Sequence, residues 1–143
     1  MRLEHLDLTH NDIDWIKGDM FERAGATSVV DIDHLILDGN EFRKGGYNRL
    51  ANLLGQMTHL VTLSLKDCML NDDGFCLIVE ELLDRQRRLS KVDFSGNTIT
   101  DVGMTELAGG IRGTRKLLLT SLKFNGNQIQ TEGAIGLFEA LEK

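Results

Sequence analysis

Small and apolar residues along this chain switch between two periods. Within residues 89–111 they first stand two apart, at Val92 and Phe94, the period of a half-buried strand. They then recur every four residues, at Gly103, Leu107 and Ile111, the period of a helix. Between the two periods lie Ser95 to Asp101, small and polar residues suited to a turn. The stretch predicts one β-loop-α unit. Such a unit cannot bury either of its apolar faces alone, so copies of it are expected beside it.

Five copies are present. Strand openings fall at Leu3, Ile32, Leu60, Leu89 and Leu119, in steps of 29, 28, 29 and 30 residues. Each is followed by an apolar pair: Leu6 and Leu8, Leu35 and Leu37, Leu63 and Leu65, Val92 and Phe94, Leu122 and Phe124. Three residues past each pair stand Asn11, Asn40, Cys68, Asn97 and Asn127, and two further on Ile13, Phe42, Leu70, Ile99 and Ile129. Glycine follows at Gly46, Gly74, Gly103 and Gly133. Beyond it come the helical stripes Leu50 and Leu54, Ile78 and Leu82, Leu107 and Ile111, Leu137 and Leu141.

The spacing Leu60-x-x-Leu63-x-Leu65-x-x-Cys68-x-Leu70, with its counterparts in the other copies, resembles the leucine-rich repeat pattern L-x-x-L-x-L-x-x-N/C-x-L. The long repeat with a helical segment is similar to the ribonuclease-inhibitor-like subclass, and the resemblance covers essentially the whole chain. It implies an α/β solenoid, with a curved parallel sheet on the concave side and helices on the convex side. It does not choose a function: the subclass includes inhibitors, actin-capping tropomodulins, Ran GTPase-activating proteins and the sensor ends of NOD-like receptors.

Length and composition agree with one repeat domain over residues 1–143. The chain is 41% hydrophobic and contains no proline, no Ser- or Gly-rich linker and no apolar run of membrane-spanning length. The amino terminus lacks the apolar core of a secretory signal. Cys68 and Cys76 lie within one repeat, which argues against a disulfide framework and for a reducing, cytoplasmic or nuclear compartment. The first repeat is irregular: its expected glycine falls on Lys17, and Trp15, Ile16, Met20 and Phe21 precede an interruption at Gly25. No polar cap precedes Leu3 and none follows the last stripe, so a fragment, or a subunit ordered within a larger assembly, is the expectation.

Asn11, Asn40, Asn97 and Asn127 form the internal polar column. Where each strand ends and the chain bends, an inward amide can satisfy stranded backbone groups in two neighbouring loops at once. Their expected role is structural. Cys68 takes the same place in the third repeat as a small buried thiol, and Cys76 reads as an inert thiol on a helix.

Strand residues pointing away from the core should line the concave face. The candidates for partner binding are His5, Asp7, His34, Asp38, Thr62, Ser64, Lys66, Lys91, Asp93, Lys123 and Asn125. The face runs from His and Asp at one end to Lys66, Lys91 and Lys123 at the other, without an aromatic anchor. His5 and His34 should be neighbours, with Asp7 and Asp38 close by, and a solvated polar patch is preferred to a metal site there. Acidic residues gather where loops enter helices. Basic residues (Arg85, Arg87, Arg88, Arg112, Arg115 and Lys116) gather where helices end, as the helix dipole favours, and form a candidate basic rim.

The formal charge of −6 and the absence of interleaved aromatics argue against free nucleic-acid binding. No phosphate loop, H-E-x-x-H, G-x-S-x-G or ligand-spaced cysteine pair occurs, so no catalytic residue, metal or cofactor is assigned. The reading is a non-catalytic scaffold that holds a protein partner, acidic in character, on the concave face and basic rim. Alternatives are a GTPase-activating module of the Ran type or a protein subunit of a ribonucleoprotein or other large complex.

Overall fold

The computed structural model describes residues 2–13, 31–85, 88–114 and 117–142, without the side chain of Lys44. The expected helix of the first repeat, with Trp15, Lys17 and Met20, lies outside the described residues, as do Arg87, Arg115 and Lys116. The elements in chain order are β1 (Arg2–Asp7), β2 (Asp31–Ile36), α1 (Lys44–Gln56), β3 (Thr62–Ser64), α2 (Asp72–Arg85), β4 (Lys91–Asp93), α3 (Asp101–Gly113), β5 (Ser121–Lys123) and α4 (Thr131–Leu141). The strands form one parallel sheet in chain order. The pairing runs His5 with His34, His34 with Thr62, Thr62 with Lys91 and Lys91 with Ser121. Equivalent residues of successive repeats are therefore laterally adjacent, as the repeat spacing requires.

The core lies between this sheet and the helices. Leu35, Leu63 and Val92 from the strands meet Leu50, Leu54, Ile78, Leu107 and Ile111 from the helices, all buried. Phe75, Phe94 and Phe124 form an aromatic column through repeats three to five, with ring centroids 4.9 to 5.8 Å apart. The predicted stripes hold in the middle of the solenoid, and at the last helix Leu137 packs against the core while Leu141 does not. Leu141 is half exposed, together with Ile135 and Phe138, because among the described residues α4 packs against a helix on one flank only.

Turn glycines Gly39, Gly96 and Gly126 adopt φ of +67°, +71° and +68° at one repeat position. His10 and Asp67 hold that same position at φ +52° in the first and third repeats. The turn is thus set by the solenoid geometry, and glycine is its easiest occupant.

Candidate functional site

The asparagine column forms the polar spine. Asn97 Oδ1 accepts the backbone N–H groups of Cys68 and Leu70, each at 3.0 Å, and its Nδ2 donates to the carbonyls of Leu65 and Phe94 at 2.8 Å. One buried amide thus joins two repeats. Asn40 does the same two interfaces earlier: it accepts from Asn11 N at 3.1 Å and Ile13 N at 3.2 Å and donates to Leu8 O at 2.8 Å. Asn127 accepts from Ile99 N and donates to Phe94 O. Asn11, exposed on the first repeat, reaches only the carbonyl of Thr9 in its own loop.

Cys68 fills the column with a thiol directed at the carbonyls of Leu37 and Lys66, 3.4 and 3.2 Å away. Burial pushes this thiol up to about 12. Cys76, half buried on α2, is raised in the same direction, first by burial and then by the carboxylate of Glu106. Because the thiolate is the nucleophile, Cys68 is expected to resist iodoacetamide in the native protein at pH 8 and to react on unfolding; Cys76 should react slowly. Rapid native modification of Cys68 would contradict its burial. The raised value also fixes a pH dependence. The unfolded chain loses this proton near the ordinary value of 9.0, whereas the folded chain keeps it. Stability is therefore full below about pH 9 and falls as the pH rises towards 12.

A second set of clamps joins the helix entrances. The Asp72 carboxylate, at the start of α2, accepts the backbone N–H of Thr100 at 2.9 Å and of Gly103 at 3.1 Å, and also the Thr100 hydroxyl at 2.6 Å. It caps the helix of the following repeat. Asp101 repeats the device on the next interface, accepting from Gln130 N at 2.7 Å. The acidic loop-to-helix residues thus act on the neighbouring helix as well as on their own dipole. Sequence reasoning stopped at the second effect. The 29-residue interval between Asp72 and Asp101, one repeat length, was the available signal.

On the concave face the expected histidine pair is present: the rings of His5 and His34 stack at 4.3 Å, and His34 Nδ1 lies 2.7 Å from the Thr62 hydroxyl. Asp7 is turned back on its own loop. It accepts from the backbone and hydroxyl of Thr9, which hold its carboxyl below the usual range. Asp38 accepts from the Ser64 hydroxyl and the Lys66 amide and pairs with the Lys66 ammonium at 3.3 Å. Lys66 is therefore paired with Asp38, with its side chain 45% exposed. Among the described residues no group of three His, Cys, Asp or Glu side chains has the arrangement of a metal site.

Lys91 and Lys123 differ from Lys66. They are exposed and flank a shallow hollow of 210 Å³ over β3, β4 and β5, which also carries Thr62, Ser64, Asp93 and Ser121. The Asp93 carboxylate accepts from Ser95 N, and Asn125 is exposed in the turn beyond β5.

The described residues of the basic rim, Arg85, Arg88 and Arg112, each lie near a carboxylate of the chain. Arg85 bonds Glu81 at 2.8 Å, and Arg112 reaches Glu139 at 3.7 Å and Gly136 O at 3.4 Å. Arg88 lies 4.0 Å from Asp33, whose other oxygen takes Arg2 at 2.6 Å. The guanidinium of Arg2, chiefly through that hydrogen bond, holds the Asp33 carboxyl below its usual range. Arg85, Arg88 and Arg112 thus have carboxylates of the same chain within 4.0 Å while staying about half exposed.

Parallel strands in chain order, a helix behind each of the last four, and an asparagine or cysteine spine between them define a leucine-rich-repeat α/β solenoid. Three segments, residues 2–14, 87–108 and 117–138, match the Leucine Rich repeat family. Among solved structures the chain is similar to Leiomodin-1 Actin-Binding Site 2, with a TM-score of 0.64 at 12% identity. The likeness covers 96% of this chain and 62% of that one, and it is a likeness of fold. A comparison with curated protein sequences finds no match. Among the described residues no helix is long and apolar enough to cross a membrane.

Proposed function

We propose that this chain is a non-catalytic protein-interaction scaffold of the ribonuclease-inhibitor-like kind, which takes an acidic segment of a protein partner on its concave face. The observation that carries the reading is the hollow between Lys91 and Lys123. The exposed side chains of Lys91 and Lys123 and the hydroxyls of Thr62 and Ser121 line it, over a floor that includes Ile36 and Leu63. Carboxylates presented by a partner would find charge and hydrogen-bond donors together. Asp93 in the same hollow disfavours a dense polyanion and suits a protein carrying mixed charge. His5, His34 and Asn125 extend the polar contact along the face, and the rim arginines contribute to long-range steering. Repeats of 28 to 30 residues with a helix on the convex side support the subclass. A solved solenoid of this fold is named for an actin-binding site, in keeping with a protein-binding role; the partner's chemistry is read from this chain's own charges. Two free thiols suit a cytoplasmic or nuclear setting.

The test uses a partner recovered by affinity purification from the source cell and then prepared pure. Lys91→Glu combined with Lys123→Glu should weaken its binding at least tenfold, a loss of about 1.4 kcal/mol. The affinity of the unaltered chain should fall as salt rises. The melting temperature should move by no more than about 2 °C, since exposed charges contribute little to the fold. Unchanged affinity, with no dependence on salt, would remove the concave hollow from the binding surface.

A further inference from the structure

Helices α2 and α3 stand apart on the convex side and leave a groove of 710 Å³ between them, within the range of about 300–1,000 Å³ usual for ligand clefts. Its apolar lining comes from Cys76, Leu77, Val79 and Leu83 of α2. The facing wall is low because α3 presents Gly110 and Gly113 there. A Cβ on Gly113 would meet nothing within 4 Å, while one on Gly110 would press on Leu83. The rim consists of Glu80 and Asp84 on one side and Glu106 on the other.

Among the described residues, Arg85 and Arg112 are directed elsewhere. Arg85 bonds Glu81 on the side of α2 that meets Gly55 of α1, and its contact with Asp84 is a distant 3.9 Å. Arg112 crosses to Glu139 and Gly136 of α4. The groove is therefore apolar at its base and bordered by three exposed carboxylates.

From this we infer a second interaction surface, distinct from the concave face: the α2–α3 groove accepts a basic amphipathic helix of a protein partner. Leucine-sized side chains of such a helix would cover Leu77 and Leu83, and its Lys or Arg residues would meet Glu80, Asp84 and Glu106. The wall from Cys76 to Asp84 is about 12 Å long, two helical turns, which accommodates anchors at i and i+3 or i+4. Charge selects the class of occupant, since an acidic helix would place like charges along both edges.

The experiment titrates the chain, with ¹³C-labelled leucine and isoleucine methyl groups, with a synthetic amphipathic peptide of about twelve residues. Leucines occupy one face of the peptide and lysines the flanks; a second peptide carries glutamate for lysine. The lysine peptide should give saturable shifts at Leu77 and Leu83. Glu80→Lys with Glu106→Lys should weaken it at least tenfold, and Gly113→Leu, which fills the groove without touching the core, should do the same. Lys91→Glu with Lys123→Glu should leave it unchanged, so failure here and failure of the concave reading are told apart. Four results would overturn the inference. One is no shift at Leu77 and Leu83 up to about 1 mM peptide. Another is equal binding of the glutamate peptide. A third is shifts confined to Ile135 and Leu141 of α4. The last is shifts at Leu77 and Leu83 that follow protein concentration without peptide, which would make the occupant a second copy of this chain.

Discussion

Asn97→Ala should lower the free energy of unfolding by about 3 kcal/mol, since each buried polar group left without a partner costs about 1–3 kcal/mol. The substitution strands the N–H groups of Cys68 and Leu70 and the carbonyl of Leu65, which the amide now joins across the interface between the third and fourth repeats, while the Phe94 carbonyl keeps its bond from Asn127. The neighbouring carbonyls cannot satisfy one another, because only the amide of Asn97 brings both a donor and an acceptor. A gradient along the column is expected. Asn127→Ala should cost less, as its site is only half buried, and Asn11→Ala least, since its side chain is exposed and bonds a single carbonyl of its own loop. Urea denaturation of the three variants measures the order. An equal cost for Asn97 and Asn11 would contradict the role assigned to burial.

Gly103→Val should be as damaging, at about 3–5 kcal/mol, and for a different reason. A Cβ at Gly103 would lie 2.7 Å from Asp72 Oδ1, 2.9 Å from Ile99 and 3.0 Å from Phe75. The first contact displaces the carboxylate that caps α3, with the loss of charge-assisted hydrogen bonds worth about 1.5–3 kcal/mol; the others overpack the core by a further 1–3 kcal/mol or so. Gly109→Ala on the same helix is the control. Nothing stands within 4 Å of its Cβ, so it should be neutral or stabilising by roughly 0.5–1 kcal/mol. Equal midpoints for the two variants would show that Gly103 marks helix phase and nothing more.

These two residues show how far the chain can be read without coordinates. Asn97 was recognisable as structural from its place in a repeated column, because a strand that ends and bends always strands backbone groups. Gly103 was recognisable only as a recurring position. Its cause is the approach of a carboxylate one repeat away, and no local pattern encodes that distance. The same limit applies to charge. Lys66, Arg85, Arg88 and Arg112 all appear as available cations in sequence, yet Asp38, Glu81, Asp33 and Glu139 meet them in space. Asp38 and Lys66 follow neighbouring strands, and Glu81 and Arg85 stand four apart on one helix, so repeat register and helix spacing brought these two pairs within foresight; Asp33 meets Arg88 across two repeats. The α2–α3 groove was invisible for a related reason. Leu77 and Leu83 stand off the predicted stripe of Ile78 and Leu82, and Gly110 and Gly113 of α3 carry no periodic signal that marks a low wall.

The most direct measurement of the scaffold's central claim is a hydrogen-exchange footprint of its complex with the purified partner. Slowed exchange in Thr62–Ser64, Lys91–Asp93 and Ser121–Lys123 and the turns that follow them, with α1 and α4 unchanged, is the expected result. Protection confined to the helices, with those three strands exchanging as in the free chain, would contradict a concave binding face.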